Sequence, residues 1–226
     1  KDSPDAILCV WQAGQEGGNS VADVLSGNAT PSGKLPMTFP VDMYDHGSAL
    51  NFPIDSDMPL SFTPDKSGRT DRKNIDYVIY EEGIYVGYRW FDKKGLKVSY
   101  PFGHGLSYTE FDYSDAQIES GKNETDITVT IKNTGSYKGK EVVQLYVSAP
   151  EGKLGKPVKE LKAFNKTEEL QPGESETVKL TVRHDDLASF DEDEGAWIAD
   201  KGTYTFHIGA SSADIKASLS CEIAGR

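Results

Sequence analysis

The sequence predicts two fold classes in one chain, an α/β segment followed by an all-β sandwich of the immunoglobulin-like type. A change of texture and the length of the chain predict it. Over about the first 65 residues a buried-type apolar run gives way to a helical pattern, whereas from about Asp126 apolar and polar residues alternate with period two. With 226 residues there is room for two ordinary domains of roughly 100–150 residues each.

The first element is the run Ala6 to Trp11 in "PDAILCVW", continuously apolar as a parallel strand covered on both faces should be. A single parallel strand has no sheet of its own. Residues 1 to about 65 are therefore expected to complete a domain whose larger part lies on a longer precursor or a partner chain. The turn "GQEGG" leads into a short helix, in which Val21, Val24 and Leu25 form an apolar stripe at i, i+3, i+4. Asn19 or Ser20 can cap its start, and Gly27 with Asn28 can close its end. "PSGKLPMTFP" then gives a turn and a short extended piece, Leu35 to Phe39, whose flanking prolines bar it from the middle of a sheet. Residues 41 to 76, rich in Asp, Ser, Pro and Gly, predict a long surface loop. Tyr77, Ile79, Tyr85, Tyr88, Trp90 and Phe91 follow too densely for a solvated segment; they need a partner surface, and the stretch after Gly83 reads as an aromatic strand. "YPFGHGLSYTEF" fits a tight passage between domains.

From Asp126 the strands follow by alternation. Ile127, Val129 and Ile131 share one face, as do Val143, Leu145 and Val147, then Val178, Leu180 and Val182, then Tyr204, Phe206 and Ile208. Turn residues such as Asn133-Thr134-Gly135, Pro172-Gly173 and Lys201-Gly202 bound these runs. With "LKAFNK", "AWIA" and "IKASLSCEI" the count reaches about seven short strands in roughly 100 residues, which suits an immunoglobulin-like sandwich.

A formal net charge of -12 argues against a nucleic-acid partner, whose binding needs clustered Lys and Arg. No apolar stretch approaches the roughly 18–20 residues of a membrane span, and the first residues lack a signal-peptide pattern. The reading is a soluble chain of open compartment, with the periplasm or secretion preferred to the cytoplasm. The two cysteines, Cys9 and Cys221, are expected to be buried structural thiols. The four histidines are scattered: His46 and His104 in Gly-containing turns, His184 after a strand and His207 inside one, so no zinc site follows.

The Gly-rich turn between the first run and the helix sits where phosphate loops sit. Gly14, Gly17 and Gly18 nevertheless fit neither G-x-x-x-x-G-K-[ST] nor G-x-G-x-x-G, no Lys follows, and Glu16 would repel a phosphate from the helix start. A carboxylate there complements the helix dipole instead. Glu16 can also line a site, whereas direct glycosidase chemistry would need a second carboxyl group roughly 5–5.5 Å away, and spacing alone selects no pair among 36 Asp and Glu. "DEDEG" at 191–195 reads as a charged hairpin connection. Glu82 reads as fixing the following strand through backbone amides or Arg89, and the cluster at 88–91 reads as core or interface packing ahead of sugar stacking.

Four separated blocks, "VWQAGQEGGNSVADVLSGNATPSGKLPMTFP", "YEEGIYVGYRWFD", "PFGHGLSYTEF" and "NTGSYKGKEVVQLYVSAPEG" with the following "PVKELKAFNKT", together resemble the C-terminal portion of glycoside hydrolase family three, the β-glucosidase and β-xylosidase family. The resemblance implies a TIM-like barrel, an α/β sandwich domain and a fibronectin type III-like domain. Residues 1–108 would hold the C-terminal part of the α/β sandwich domain and the connection, and residues 109–226 the fibronectin type III-like β-sandwich. The family's nucleophile is an Asp of the barrel and its acid/base a Glu upstream of the stretch matching "AILCVWQAGQE", so no catalytic residue is expected on this chain. Gln15 and Glu16 are the substrate-side candidates, supporting a pocket wall. The implied enzyme is a retaining exo-β-glycosidase for terminal β-linked sugars, without metal or organic cofactor, whose partners are the barrel, the remainder of the α/β domain and a β-glycoside substrate. The rival reading is a noncatalytic carbohydrate-binding or adhesion module, since sandwich domains often serve that way.

Overall fold

The computed structural model of the chain describes residues 4–50 and 82–225. The run Ala6 to Trp11 is not a strand there. It has no regular secondary structure and is open to solvent, with Ile7 67%, Leu8 43%, Val10 38% and Trp11 54% exposed. The cause is pairing: a strand of this type is stable only between parallel neighbours, and none is present among the described residues. Cys9 lies in the same run and is exposed, and Cys221 is only half-buried, which corrects the expectation of two buried thiols.

Helix α1 (Gly17–Ser26) begins earlier than its apolar stripe suggests. Glu16, not Asn19 or Ser20, occupies the N-cap, and Gly27 closes the helix in the left-handed region with its N–H on Val24 O. Val21 and Val24 are half-buried, but Leu25 is 69% exposed, so only part of the stripe is covered. Strand β1 (Phe39–Pro40) pairs antiparallel with β2 (Val98–Tyr100). Of the surface loop expected at 41–76, residues 43–45 and 47–50 form short 3-10 turns, the first closed by an Asp42–Asp45 capping box. The rest of that expectation, with Tyr77, Ile79 and Glu81, lies outside the described residues.

Between those two strands the expected aromatic strand is instead a helix, α2 (Tyr88–Lys94), set between Gly87 and the left-handed Gly95. Helical spacing turns Tyr88, Phe91 and Asp92 to one side. Tyr88 packs on Phe102 and Tyr146 at ring-centroid distances of 4.8 and 5.8 Å, and Phe91 is 3% exposed. Tyr88 and Phe91 of the cluster at 88–91 are thus engaged in packing. Arg89 pairs with Glu160 at 2.9 Å rather than with Glu82, which corrects that reading.

The sandwich opens with β3 (Phe111–Ser120), β4 (Glu124–Asn133), β5 (Val142–Ser148), β6 (Glu160–Lys166) and β7 (Ser175–Arg183). It continues with the short hairpin β8 (Ser189–Asp191) and β9 (Ala196–Ile198) and ends with β10 (Gly202–Gly209) and β11 (Ile215–Ile223). One antiparallel sheet has the order β3-β4-β7 and the facing sheet β11-β10-β5-β6. "AWIA" belongs to the hairpin rather than to a sheet of the sandwich, and β3 takes its place in the count. The inward residues of both sheets form the core, with Ile127, Val129, Ile131, Val143, Leu145, Tyr204, Phe206 and Ile208 at 0% exposure.

Candidate functional site

The loop before α1 is built by two backbone bends. Gly14 has φ +66°, and its carbonyl accepts from Gly17 N at 3.3 Å. Glu16 O then accepts from Ser20 N at 2.9 Å, the first turn of the helix. The Glu16 side chain does not cap a backbone N–H; its Oε2 accepts from Asn19 Nδ2 at 2.7 Å. Gln15 and Glu16 are both exposed. This arrangement presents an amide and a carboxylate, adjacent in sequence, at the positive end of a helix dipole, where they can take hydroxyl donors.

A shallow cleft of about 40 Å³ lies between the turn at 46–48 and the start of α2, lined by His46, Gly47, Ser48, Glu82, Tyr85, Val86, Gly87 and Trp90. Its aromatics are already engaged. Trp90 Nε1 donates to Asp45 O at 2.8 Å, Lys94 lies 4.8 Å from the Trp90 ring, and Lys93 lies 3.2 Å from the Tyr85 ring centre.

The third feature is the junction between the α1 unit and the sandwich. Lys34 Nζ meets Glu141 Oε1 at 3.0 Å, and Tyr113 Oη donates to the same oxygen at 2.8 Å. Burial, reinforced by the Glu141 charge, pushes the Tyr113 hydroxyl far above the usual phenol range, so it stays a donor. Next to Lys34, His104 is held below the ordinary imidazole value, first by burial and then by the lysine charge, with Asp214 opposing. Leu35 N donates to His104 O and Gly103 N to Leu35 O, both at 2.8 Å. Tyr108 Oη donates to Val24 O at 2.8 Å, in the last turn of α1. On the sandwich side Gln144 Nε2 donates to Gly103 O at 3.0 Å and to Ala210 O at 2.7 Å, and its Oε1 accepts from Tyr146 Oη at 2.6 Å.

Gln15 and Glu16 thus lie together on one loop, as their sequence positions require, while Lys34, Glu141, Gln144 and Tyr146 went unmarked in the sequence. The only signal was parity, and it covers two of them: Gln144 and Tyr146 stand on β5 out of phase with the inward set Val143, Leu145, Val147, at positions that ordinarily face water. Glu141 stands in phase with that set just before the strand, and Lys34 lies on no strand.

Comparison with known proteins gives two family matches on the chain. Residues 1–88 match the Glycosyl hydrolase family 3 C-terminal domain, and residues 141–212 match the Fibronectin type III-like domain. Beta-glucosidase A of Butyrivibrio fibrisolvens is 41% identical over 95% of this chain, and thermostable beta-glucosidase B of Acetivibrio thermocellus is 40% identical over 95%. Each match covers 26% of the relative, so the chain spans about a quarter of the length of these curated proteins. Among solved structures, beta-glucosidase 3B from Thermotoga neapolitana in complex with glucose superposes with a TM-score of 0.83 at 45% identity, over 96% of this chain and 28% of that one. The beta-glucosidase of Bifidobacterium adolescentis gives 0.82 at 34% identity, over 95% and 29%.

Proposed function

Because the chain belongs to glycoside hydrolase family three, as its C-terminal domain followed by a fibronectin type III-like domain, we propose that it forms the C-terminal portion of a retaining exo-β-glycosidase acting on terminal β-linked glucose. The observation that carries this reading is the likeness to a glucose-complexed β-glucosidase at 45% identity over 96% of the chain. In this reading the barrel and the earlier part of the α/β domain supply the nucleophile and the acid/base. This chain supplies the loop of Gln15 and Glu16 as a wall of the pocket, at the carboxyl end of the run Ala6 to Trp11, where ligands gather in open α/β sheets. The run itself is the edge on which the remaining parallel strands would pair.

The adhesion-module alternative does not account for that run, since a free-standing binder gains nothing from four large apolar side chains left in water, Ile7, Leu8, Val10 and Trp11. The two readings separate in one assay. The full-length enzyme should hydrolyse an aryl β-glucoside with retention at the anomeric carbon, and the purified chain of 226 residues should not. Turnover by the chain alone would place the carboxylates within it and defeat the proposal.

A further inference from the structure

Glu141 sits where an isolated sandwich has little use for a carboxylate. Its residue is 5% exposed, and the cation that meets it among the described residues is Lys34, 107 positions earlier, with side-chain exposures of 13% for the lysine and 7% for the glutamate. Its backbone is tied to Thr167 in both directions, Glu141 N donating to Thr167 Oγ1 at 3.0 Å and Thr167 N donating to Glu141 O at 2.9 Å. The acceptor is therefore fixed to the sandwich. The donor is equally confined. Gly105 lies against the chain just before Lys34, so closely that a Cβ there would stand 2.2 Å from Gly33 O, and Leu35 bonds to the 103–104 segment on its other side. Between Lys34 and α1, Ala29 N donates to Asp23 O at 3.1 Å and Tyr108 holds Val24 O. The stretch from Val24 to Leu35 is thus fastened at both ends to residues 103–108, which Gln144 ties to the sandwich, and Lys34–Glu141 joins it to the sandwich directly.

We infer that Lys34 and Glu141 are positioning residues: the ion pair lets the sandwich hold α1, and through α1 the loop carrying Gln15 and Glu16. That the loop lines a sugar pocket rests on the proposed function; the clamp on α1 does not. Neither residue touches the reacting atoms. Their effect reaches substrate through the angle and rigidity of the helix.

The test uses the full-length enzyme with Lys34→Met, Glu141→Gln, the double variant Lys34→Met/Glu141→Gln, and Lys34→Arg. Two readouts are taken well below each variant's melting temperature: amide exchange at residues 14–26, with β4 as internal reference, and kcat and KM on an aryl β-glucoside. The single variants leave one buried charge without its partner and should melt lower. The double variant leaves none and should recover much of that loss. Its α1 loop should nevertheless exchange about tenfold faster, and kcat/KM should fall by roughly tenfold, mostly through KM, as expected for one lost positioning contact. Lys34→Arg should restore part of both. If the double variant recovers loop protection and kcat/KM along with stability, or if exchange at residues 14–26 never changes, the pair is charge balance only and the inference falls. If instead the wild-type enzyme turns over no β-glycoside, the proposed function falls, while the exchange measurement still decides the clamp.

Discussion

Glu16 combines a fixed backbone with an open side chain. Its carbonyl is locked into the first turn of α1, whereas its carboxylate leans on the exposed amide of Asn19. That is the geometry of a positioning acceptor. A general acid works differently, because it must stand within hydrogen-bond reach of the leaving-group oxygen and hand it a proton. Glu16→Gln in the full-length enzyme should therefore lower kcat/KM by a modest factor, on the order of 10–100, with the basic limb of the pH profile kept. The measurement pairs an activated aryl β-glucoside with a β-linked disaccharide. Loss of the basic limb, with the disaccharide alone affected, would instead make Glu16 the acid. At this scale the sequence was legible where chemistry is local, as in the loop glycines and the carboxylate at the helix start. It was silent where chemistry is between segments. Glu141 precedes an alternating run and reads as a solvated charge, and nothing in its neighbourhood names Lys34 as its partner.

Elements were legible where one face is dry and the alternation is unbroken. β4, β7 and β10 follow the inward sets expected of them, while β3 escapes because it contains an irregularity. Phe111 and Tyr113 turn inward before it and Ala116 and Ile118 after it, with the register shifting between Ser114 and Gln117 and Asp115 at φ +52°. A scan at period two loses phase at that point. α2 escapes for another reason, since seven residues hold barely two turns and most of their side chains are aromatic or charged. Its start is set by Gly87, at φ +57°, ψ −137°, a conformation that L residues rarely adopt. Gly87→Ala should cost about 1–3 kcal/mol. The helix docks on the sandwich through Arg89–Glu160 at 2.9 Å, Lys159–Asp92 at 2.6 Å and the Tyr88 hydroxyl accepting from Leu161 N at 2.8 Å. The variant should therefore lose exchange protection along β6 as well as melting temperature. A β6 as protected as in the wild type would show that the helix does not cover that strand.

For the whole molecule, the sandwich has a closed core of its own, yet its second face is not free. Gln144 is 3% and Tyr146 0% exposed although both point away from the core, because residues 88 and 102–103 lie over them. Strand parity separates inside from outside; it cannot separate water from another segment of the same chain. A chain beginning at residue 109 should consequently fold, since the inward sets of both sheets are intact, but melt well below the chain of 226 residues. Burial of a Tyr and a Gln side chain is lost, on the order of 2–4 kcal/mol together. Thermal unfolding of the two chains side by side decides it; equal midpoints would mean that the first segment adds nothing to the sandwich.

The separation of 107 positions from Lys34 to Glu141 also sets an order of events during synthesis. At about 5–20 residues per second, α1 and its loop leave the ribosome roughly 5–20 s before the carboxylate that anchors them has even been translated, and longer before the last strands close the sheet behind it. Throughout that interval the ammonium of Lys34 is nascent chain without the carboxylate that meets it. Within this chain the α1 segment is thus made before the sandwich and fastened only after it, which makes it a natural client for chaperones, and a stop codon early in the sandwich would leave it unfastened although its own codons are intact.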